Sequence, residues 1–265
     1  MQIKLRDKDI RLGRYGVEIE FYNADHGKIV QGLTEAGIAC ETEGYNHFSR
    51  PHWKIVSDAS VRGVNSGELV SPILEGEDGI EQIKKVCAVL GACKAKVNTS
   101  CGLHVHHDAR GFEKKHLVNV LKFYHRSEKY LDSILPASRR GDNNTYCKSV
   151  KLAIDQIDAS GIHERSLSRY FKVNLTSFFR HGTVEFRHHS GTVEADKIIN
   201  WVVLTAVIMS RAQDSVRSSS PYKNWSDFRW FLGVVGSRED NESLSQVIQK
   251  LASYMNARKK HFATA

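Results

Sequence analysis

Cysteine and proline are scarce in this chain, and the cysteines form no recognisable pairs. Five cysteines and four prolines occur among 265 residues, and no CxxC motif is present. An odd number of scattered cysteines argues against a disulfide framework and against a thiolate zinc site. We therefore expect a reducing, cytoplasmic environment.

Long apolar runs and the common nucleotide-binding motifs are also missing. The most apolar stretch, residues 198–209, is interrupted by Asn200 and Thr205, whereas a membrane span needs roughly 20 apolar residues. Neither GxGxxG nor GxxxxGKS/T occurs, which disfavours Rossmann and P-loop nucleotide binding. The GxSxG elbow of α/β-hydrolases is absent as well. The opening segment MQIKLRDKDIRL has no apolar core, so we expect no secretory signal there.

Positive charge is in excess. Lys and Arg number 38 against 30 for Asp and Glu, which gives a net charge of +8. This balance favours anionic partners such as nucleotides, nucleic acids or acidic peptides, but it does not specify a fold. The length permits one large domain, or one domain with a helical appendage. We predict a main domain over residues 1–212 and a helical C-terminal extension over residues 213–265, packed on that domain.

Strand and helix patterns alternate along the chain, and this predicts an α+β fold. Period-two alternation marks strands in RYGVEIEFYN, HWKIVSD, GELVSPIL, KVNTSCGLHVHHD, FKVNLTSFF and TVEFRHHSG. Helical spacing marks residues 28–37, 79–90 with Asp78 as cap, 114–135, 195–211 and the C-terminal residues. Residues 41–52 and SRRGDNNTYCKS are expected to be loops, and RSSSPYKN a linker. Clean alternation is typical of a curved, mainly antiparallel sheet with helices packed on one face.

Paired polar residues on the alternating strands are the most informative feature. In the first strand Val17, Ile19 and Phe21 are expected to face the core, so Glu18 and Glu20 share the opposite face. The same rule, applied to LHVHHD and TVEFRHH, places on the outer faces His104, His106, Asp108, Thr183, Glu185, Arg187 and His189. It places His107 and His188 on the core side. Side chains at i and i+2 lie about 7 Å apart, which suits ligands of one metal or of neighbouring metals.

A further group of polar residues comes from WKIVSDASVRGVNSGELVSPI. Asp58 and Ser60 end one strand and Glu68 begins the next. If these strands share one sheet, four carboxylates converge, those of Glu18, Glu20, Glu68 and Glu185. Such a group would repel unless cations lay between its members. Hard oxygen ligands favour Mg2+ or Mn2+, and the fork of Arg187 suits a phosphoryl group.

Two other classes of function remain open. One is a metal-dependent hydrolase of amide or phosphate bonds, because HVHHDA is similar to the HxHxDH motif of zinc hydrolases. However, Ala109 stands where that motif has its last His. The other is a nucleic-acid-binding protein that uses basic residues of one loop and of the C-terminal tail. Those residues are Arg139, Arg140, Arg258, Lys259 and Lys260.

Taken in order, YGVEIEF, W–x–I–V–x–D–x–S, GELVSPIL, CGLHVHHD and VNLTSFFRHGTVEFRHHSGT resemble the amidoligase family of carboxylate–amine ligases. That family is similar in fold to glutamine synthetase and glutamate–cysteine ligase, and it occurs in phages and bacteria. The resemblance spans roughly residues 14–212. It implies ATP-dependent formation of an amide through an acyl phosphate, from a carboxylate and an amine that peptides or nucleic acids could carry.

The resemblance also implies roles for individual residues. Metal ligands for Mg2+ (or Mn2+) around ATP would be Glu18, Glu20, Glu68 and Glu185. His104 or His106 would be a further ligand or phosphate contact. Arg187 would face the transferred phosphoryl group, so His106 and Arg187 are the catalytic candidates. Contacts with ATP or substrate would come from Asp58, Ser60 and Asn174, although Ala59 stands where the family has Gly.

Overall fold

The computed structural model describes residues 2–4, 9–163, 167–213 and 246–263. The chain divides into two compact units. Unit 1 consists of Met1–Leu12, Ala109–Glu185 and Val203–Ala265, and unit 2 consists of Gly13–Asp108 and Phe186–Val202.

Strands and helices are interspersed along the chain, which confirms the α+β prediction. The strands are β1 (Gln2–Lys4), β2 (Asp9–Arg11), β3 (Arg14–Phe21), β4 (Cys40–Thr42), β5 (Trp53–Val56), β6 (Gly67–Val70), β7 (Leu74–Glu75), β8 (Gly102–Asp108), β9 (Val173–Asn174) and β10 (Thr183–Ser190). The helices are α1 (His26–Glu35), α2 (Gly76–Ala92), α3 (Lys114–Asp132), α4 (Val150–Ser160), α5 (Thr176–His181), α6 (Ala195–Gln213) and α7 (Gln246–Ala263). A 3-10 turn covers Ala137–Arg139.

Unit 2 is built on a mainly antiparallel sheet, as the alternating strands predict. Its strand order is β4–β5–β6–β3–β8–β10, and β10 contributes its residues from Phe186 onward. The pairs β5–β6, β6–β3 and β3–β8 are antiparallel, β7 pairs with the start of β3, and β4–β5 is parallel. Strand β4 lies in a segment that we expected to be a loop, because three residues are too few for a periodic signal.

One face of this sheet is the core of unit 2. Ile55, Leu69, Ile19 and Leu103 occupy directly opposed positions on four neighbouring strands, and none of them has any exposed surface. The predicted inward orientation of the apolar residues on β3 and β8 is therefore confirmed. The core-side placement of His107 is confirmed too, because it is buried between the rings of Tyr15 and Phe186.

Helices α1 and α2 contact each other, α1 also contacts β4, and α2 contacts β7. Helix α1 buries Ile29 and Leu33, and the buried residues of α2 recur at helical spacing. Helix α2 starts at Gly76 rather than at residue 79. Asp78 lies within its first turn rather than at the cap, where an acidic side chain still interacts favourably with the helix dipole.

The described residues of unit 1 are mostly helical. Helices α3 and α4 pack together, and α4 falls in a region that we did not predict to be helical. The strand predicted for FKVNLTSFF is wrong beyond Asn174, because α5 follows β9 almost directly. Helix α5 ends at Gly182, which adopts a left-handed conformation with φ 68°.

The predicted C-terminal helix is confirmed as α7, with Ile248 and Leu251 buried.

The remaining predictions concern the C-terminal region and the membrane. The linker RSSSPYKN and Leu244 lie outside the described residues, and the boundary at 212/213 stays a prediction. Among the residues that the structure describes, no helix combines the length and apolarity needed to cross a membrane.

Candidate active site

The outer face of the sheet in unit 2 collects polar side chains by strand register. Glu18 on β3 lies opposite His104 on β8 and opposite Val70 on β6, and Val70 lies opposite Lys54 on β5. Because directly opposed residues point to the same face, these residues form one row across four strands. In the next row, Glu20 lies opposite Glu68. The alternation that buries one face therefore brings three glutamates together on the other.

We call Glu18, Glu20, Glu68 and His104 the acidic cluster. His104 lies at its centre: Nδ1 is 3.0 Å from Glu18 Oε2 and 3.9 Å from Glu68 Oε1, while Nε2 is 3.5 Å from Glu20 Oε1. His106 borders the cluster, with Nε2 3.3 Å from Glu18 Oε1. Three chain segments far apart in sequence thus contribute ligand atoms to one place.

Glu20 is the most firmly held member of the cluster. Its side chain is buried, and its Oε2 accepts a hydrogen bond of 2.6 Å from the backbone N–H of Gly102. This bond orients the carboxylate and leaves its Oε1 directed toward His104. A carboxylate fixed in this way is preorganised to bind a cation.

The glutamates of the cluster have opposite pKa shifts. Burial alone would raise the pKa of Glu18, but His106 and His104 hold it well below its ordinary value through charge and hydrogen bonds. Burial raises the pKa of Glu68 well above its ordinary value, and the charges of Glu18, Glu20 and Asp58 raise it further. The cluster therefore holds more carboxylate than it can keep ionised without added positive charge.

This donor set fits a divalent cation. One ligand atom from each of Glu20, Glu68 and His104 lies within 4.8 Å of the others. Oxygen ligands of Mg2+ and Ca2+ lie about 2.0–2.6 Å from the ion, so two ligands of one ion are separated by up to about 5 Å. Two carboxylates with a single imidazole favour a hard cation such as Mg2+ or Mn2+.

Asp58 lies within electrostatic reach of the cluster, since its charge raises the pKa of Glu68. Its Oδ1 accepts a hydrogen bond of 2.7 Å from the backbone N–H of Ser60. This turn fixes the segment that follows β5. The proposed contacts of Asp58 and Ser60 with ATP or substrate stay predictions.

Asn174 and Glu185 form a buried polar pair in unit 1. Asn174 Nδ2 donates to Glu185 Oε2 at 2.6 Å, and both side chains are buried. Asn174 Oδ1 accepts from the backbone N–H and the hydroxyl of Thr176 at 2.8 and 2.7 Å. The start of α5 therefore fixes Asn174, which in turn orients Glu185. The predicted convergence of Glu185 with the acidic cluster stays a prediction.

Strand β10 also carries Arg187, which is half-buried. Its neighbour Phe186 is fully buried, so alternation places the guanidinium on the outer face. His189, expected on that same face, is buried with its ring 5.1 Å from that of Trp201. His189 therefore has a packing role, while the phosphoryl contact of Arg187 stays a prediction.

The basic loop and tail do meet, in unit 1. The guanidinium carbons of Arg140 and Arg258 lie 5.6 and 4.6 Å from the centroid of the Phe262 ring, and Lys259 Nζ lies 4.9 Å from that of Tyr130. Arg139 is different, because it is buried. The predicted contact of this loop and tail with nucleic acid stays a prediction.

Lys54 is a residue that the sequence analysis missed. It shares the row of Glu18 and His104 and is only 2% exposed. Its one signal in the sequence is a charged residue inside the apolar run WKIV. A lysine in a short strand usually lies on a solvated surface, so this signal is weak.

The fold and the site together define an α+β protein whose sheet holds a carboxylate cluster suited to divalent cations. The model of a family described as "Putative amidoligase enzyme" matches residues 12–209. The chain therefore belongs to the amidoligase family, which confirms the resemblance found in the sequence motifs and supports a ligase in general. No curated protein matches the chain.

Proposed function

We propose that this protein is an ATP- and Mg2+-dependent carboxylate–amine ligase. The main observation in support of this proposal is that Glu18, Glu20 and Glu68 converge on His104 at one face of the sheet. Family membership supplies the ligase class. The acidic cluster supplies a place where a metal-bound triphosphate could be held.

The reaction that we propose has two steps. A substrate carboxylate oxygen attacks the γ-phosphorus of ATP, and ADP leaves as the acyl phosphate forms. The nitrogen of the amine then attacks the acyl carbon, phosphate leaves, and the nitrogen loses a proton as the amide forms. Phosphoryl transfer of this kind depends mainly on positioning and charge neutralisation.

Different residues of this chain would have different roles in the proposed reaction. Glu20, Glu68 and His104 would hold a cation, with Glu18 beside them. The cation, when bound, would neutralise phosphate charge. Arg187 would contact the transferred phosphoryl group, because its planar fork matches phosphate geometry. His106 would hold Glu18 in its ionised form, as its effect on the pKa of Glu18 indicates.

Cation binding tests this proposal without any knowledge of the substrates. Mn2+ alone would be titrated into the wild type, Glu20→Gln and Glu68→Gln, and free Mn2+ followed by electron paramagnetic resonance. We expect each glutamine variant to weaken Mn2+ binding by about tenfold or more, because one charged oxygen ligand is lost. Glu81→Gln, which removes an exposed carboxylate on α2, is the matched control. Unchanged Mn2+ affinity in both cluster variants would exclude the site.

Nucleotide dependence separates the ligase from a hydrolase. A ligase should release ADP from ATP only when a carboxylate and an amine are both supplied, and Arg187→Lys should lower that rate while retaining the charge. A metal-dependent hydrolase should turn over without nucleotide. ADP release that survives Glu20→Ala and Arg187→Ala would contradict the ligase proposal.

The proposed substrates are a carboxylate and an amine carried by a peptide or a nucleic acid. The net charge of +8 and the contact of Arg140 and Arg258 with Phe262 in unit 1 favour an anionic carrier. A cytoplasmic location agrees with the five free cysteines and belongs to the same proposal.

A further inference from the structure

Two lysines are buried among the residues that the structure describes. Their ammonium groups differ in hydrogen-bond acceptors, which are charged for one lysine and uncharged for the other. Lys172 in unit 1 donates to Glu128 at 2.7 Å and to Asp132 at 2.8 Å. Lys54 in unit 2 donates only to uncharged oxygens and, within the described part of the chain, forms no ion pair. Burying an ammonium without a carboxylate partner is costly, so the charge of Lys54 calls for an explanation other than stability.

The three acceptors of Lys54 all belong to one loop, residues 43–52, which we call the rim loop. Lys54 Nζ donates to Asn46 Oδ1 at 2.6 Å, to the Phe48 carbonyl at 2.8 Å and to the Asn46 carbonyl at 3.4 Å. Burial lowers the pKa of this ammonium, which agrees with its position beneath the loop. The side chain thus joins the middle of the rim loop to strand β5.

The rim loop is ordered and carries exposed aromatic rings. Glu43 accepts two hydrogen bonds from Arg50 Nε and one from Arg50 Nη2, and it also accepts from Asn46. Tyr45 is 58% exposed and Phe48 is 69% exposed. Large exposed rings on a fixed loop mark a surface for contact with another molecule.

Strand register connects the rim loop to the acidic cluster. Glu41, the middle residue of β4, lies two residues before the loop and opposite Lys54, and Lys54 belongs to the row of Glu18 and His104. The charge of Glu43 in the rim loop, and after it those of Glu18 and Glu68, act on the pKa of Lys54 against the larger effect of burial. The loop is therefore anchored to the same sheet face that carries the acidic cluster.

We infer that Lys54 is a positioning residue that fixes the rim loop, and that Tyr45 and Phe48 of this loop bind an apolar part of the organic co-substrate. The inference rests on the proposed function for the identity of the co-substrate, but the loop anchoring does not depend on it. Lys54 Nζ donates its hydrogen bonds to the loop and not to Glu18 or Glu68. The carboxylates of the acidic cluster therefore stay available to bind cations.

Hydrogen–deuterium exchange of the full chain tests the anchoring. Lys54→Met should raise the exchange of amides in residues 43–52 by about tenfold or more, since two strong acceptors lose a charged donor. Asn46→Ala removes one acceptor of Lys54 and retains the lysine, and it should also raise the exchange of amides in residues 43–52. Lys84→Met is the control, because it removes an exposed lysine of the same unit and should leave the rim loop unchanged. Equal exchange in wild type and both loop variants, or the same increase in Lys84→Met, would overturn the anchoring role.

Kinetics test the second half of the inference. Phosphate release from ATP would be measured with a mixture of short peptides as the source of carboxylate and amine, in line with the proposed substrates. Lys54→Met and Phe48→Ala should raise the KM for this mixture by about tenfold and change the KM for ATP by less than about twofold. Phe48→Ala should leave loop exchange unchanged, because only the backbone carbonyl of Phe48 binds Lys54.

Three further outcomes are decisive. An equal rise in both KM values would overturn the role in co-substrate binding. If the Lys54→Met variant binds Mn2+ more weakly than the wild type in the absence of substrates, Lys54 supports the acidic cluster. That result would also overturn the role in co-substrate binding. If loop exchange rises in Lys54→Met while Glu20→Gln and Glu68→Gln bind Mn2+ as tightly as the wild type, the proposed function fails while the anchoring role is supported.

Discussion

At the scale of single residues, identical side chains behave differently because their neighbours differ. Glu18 and Glu68 lie on adjacent strands, yet the pKa of Glu18 is lowered by two histidines and that of Glu68 is raised by burial and by other carboxylates. Glu43 in the rim loop is a third case. Hydrogen bonds from Arg50 lower its pKa to about 2.

Glu43 should contribute to stability in a defined range of pH. Its pKa in the folded state lies below the ordinary glutamate value of about 4.3, so its contribution is complete above that value and is lost as pH falls toward 2. Glu43→Gln should therefore flatten the decrease in unfolding free energy over this range. Urea denaturation at several pH values measures it, with Glu81→Gln as control. Identical slopes in wild type and Glu43→Gln would contradict the assignment.

At the scale of secondary-structure elements, helix α2 depends on a close approach to β3 and β7. A Cβ added at Gly79 would lie 2.5 Å from Tyr15 Oη and 2.8 Å from Leu74 Cβ. Both distances are shorter than side chains tolerate, so the helix can pack at this distance only with glycine. Gly91 in the same helix has nothing within 4 Å of such an atom.

Alanine at these two glycines should change stability in opposite directions. Gly79→Ala should lower the unfolding free energy by about 1–3 kcal/mol through overpacking, although alanine has the better helix propensity. Gly91→Ala should raise it by up to about 1 kcal/mol, since only propensity changes. Chemical denaturation of both variants measures the effect. A gain in stability for Gly79→Ala would show that α2 has room to move.

At the level of the whole molecule, each compact unit is built from segments that are not contiguous in the chain. Unit 1 is assembled from three separate segments and unit 2 from two, so long-range contacts must hold each unit together. In unit 1 a buried network does this. Lys172 binds Glu128 and Asp132 of α3, and Glu128 also accepts from Ser149 Oγ and from the Val150 N–H at the start of α4.

Removing Lys172 should weaken the molecule as a whole. Lys172→Met leaves the buried carboxylate of Glu128 and the half-buried carboxylate of Asp132 without their cation and should cost about 3–5 kcal/mol of unfolding free energy. Lys84→Met on the exposed side of α2 should cost less than about 1 kcal/mol. Denaturation curves for both variants, followed by circular dichroism, compare these losses. A loss for Lys172→Met as small as that for Lys84→Met would mean that the network is not a structural link.

Much of the fold could be predicted from local sequence patterns. The alternation around Val17, Ile19 and Phe21 identified β3 and its buried face, and spacing identified α3 and α6, because period two and period 3.6 are properties of the backbone itself. The patterns failed where an element is too short to repeat. Strand β4 was missed, and α5 was mistaken for the continuation of a strand.

Local alternation was sufficient to place Glu18 and Glu20 on one strand face and His104 and His106 on another, and the motifs were sufficient to indicate the amidoligase family. The grouping of Glu68 with Glu18 and Glu20 around His104, and the place of Lys54 in the same row, emerge from the folded sheet alone. Alternation fixes the face on which a side chain lies, whereas strand order and register fix its neighbours. Register depends on packing of residues far apart in the chain, as in the buried row of Ile19, Leu69 and Leu103.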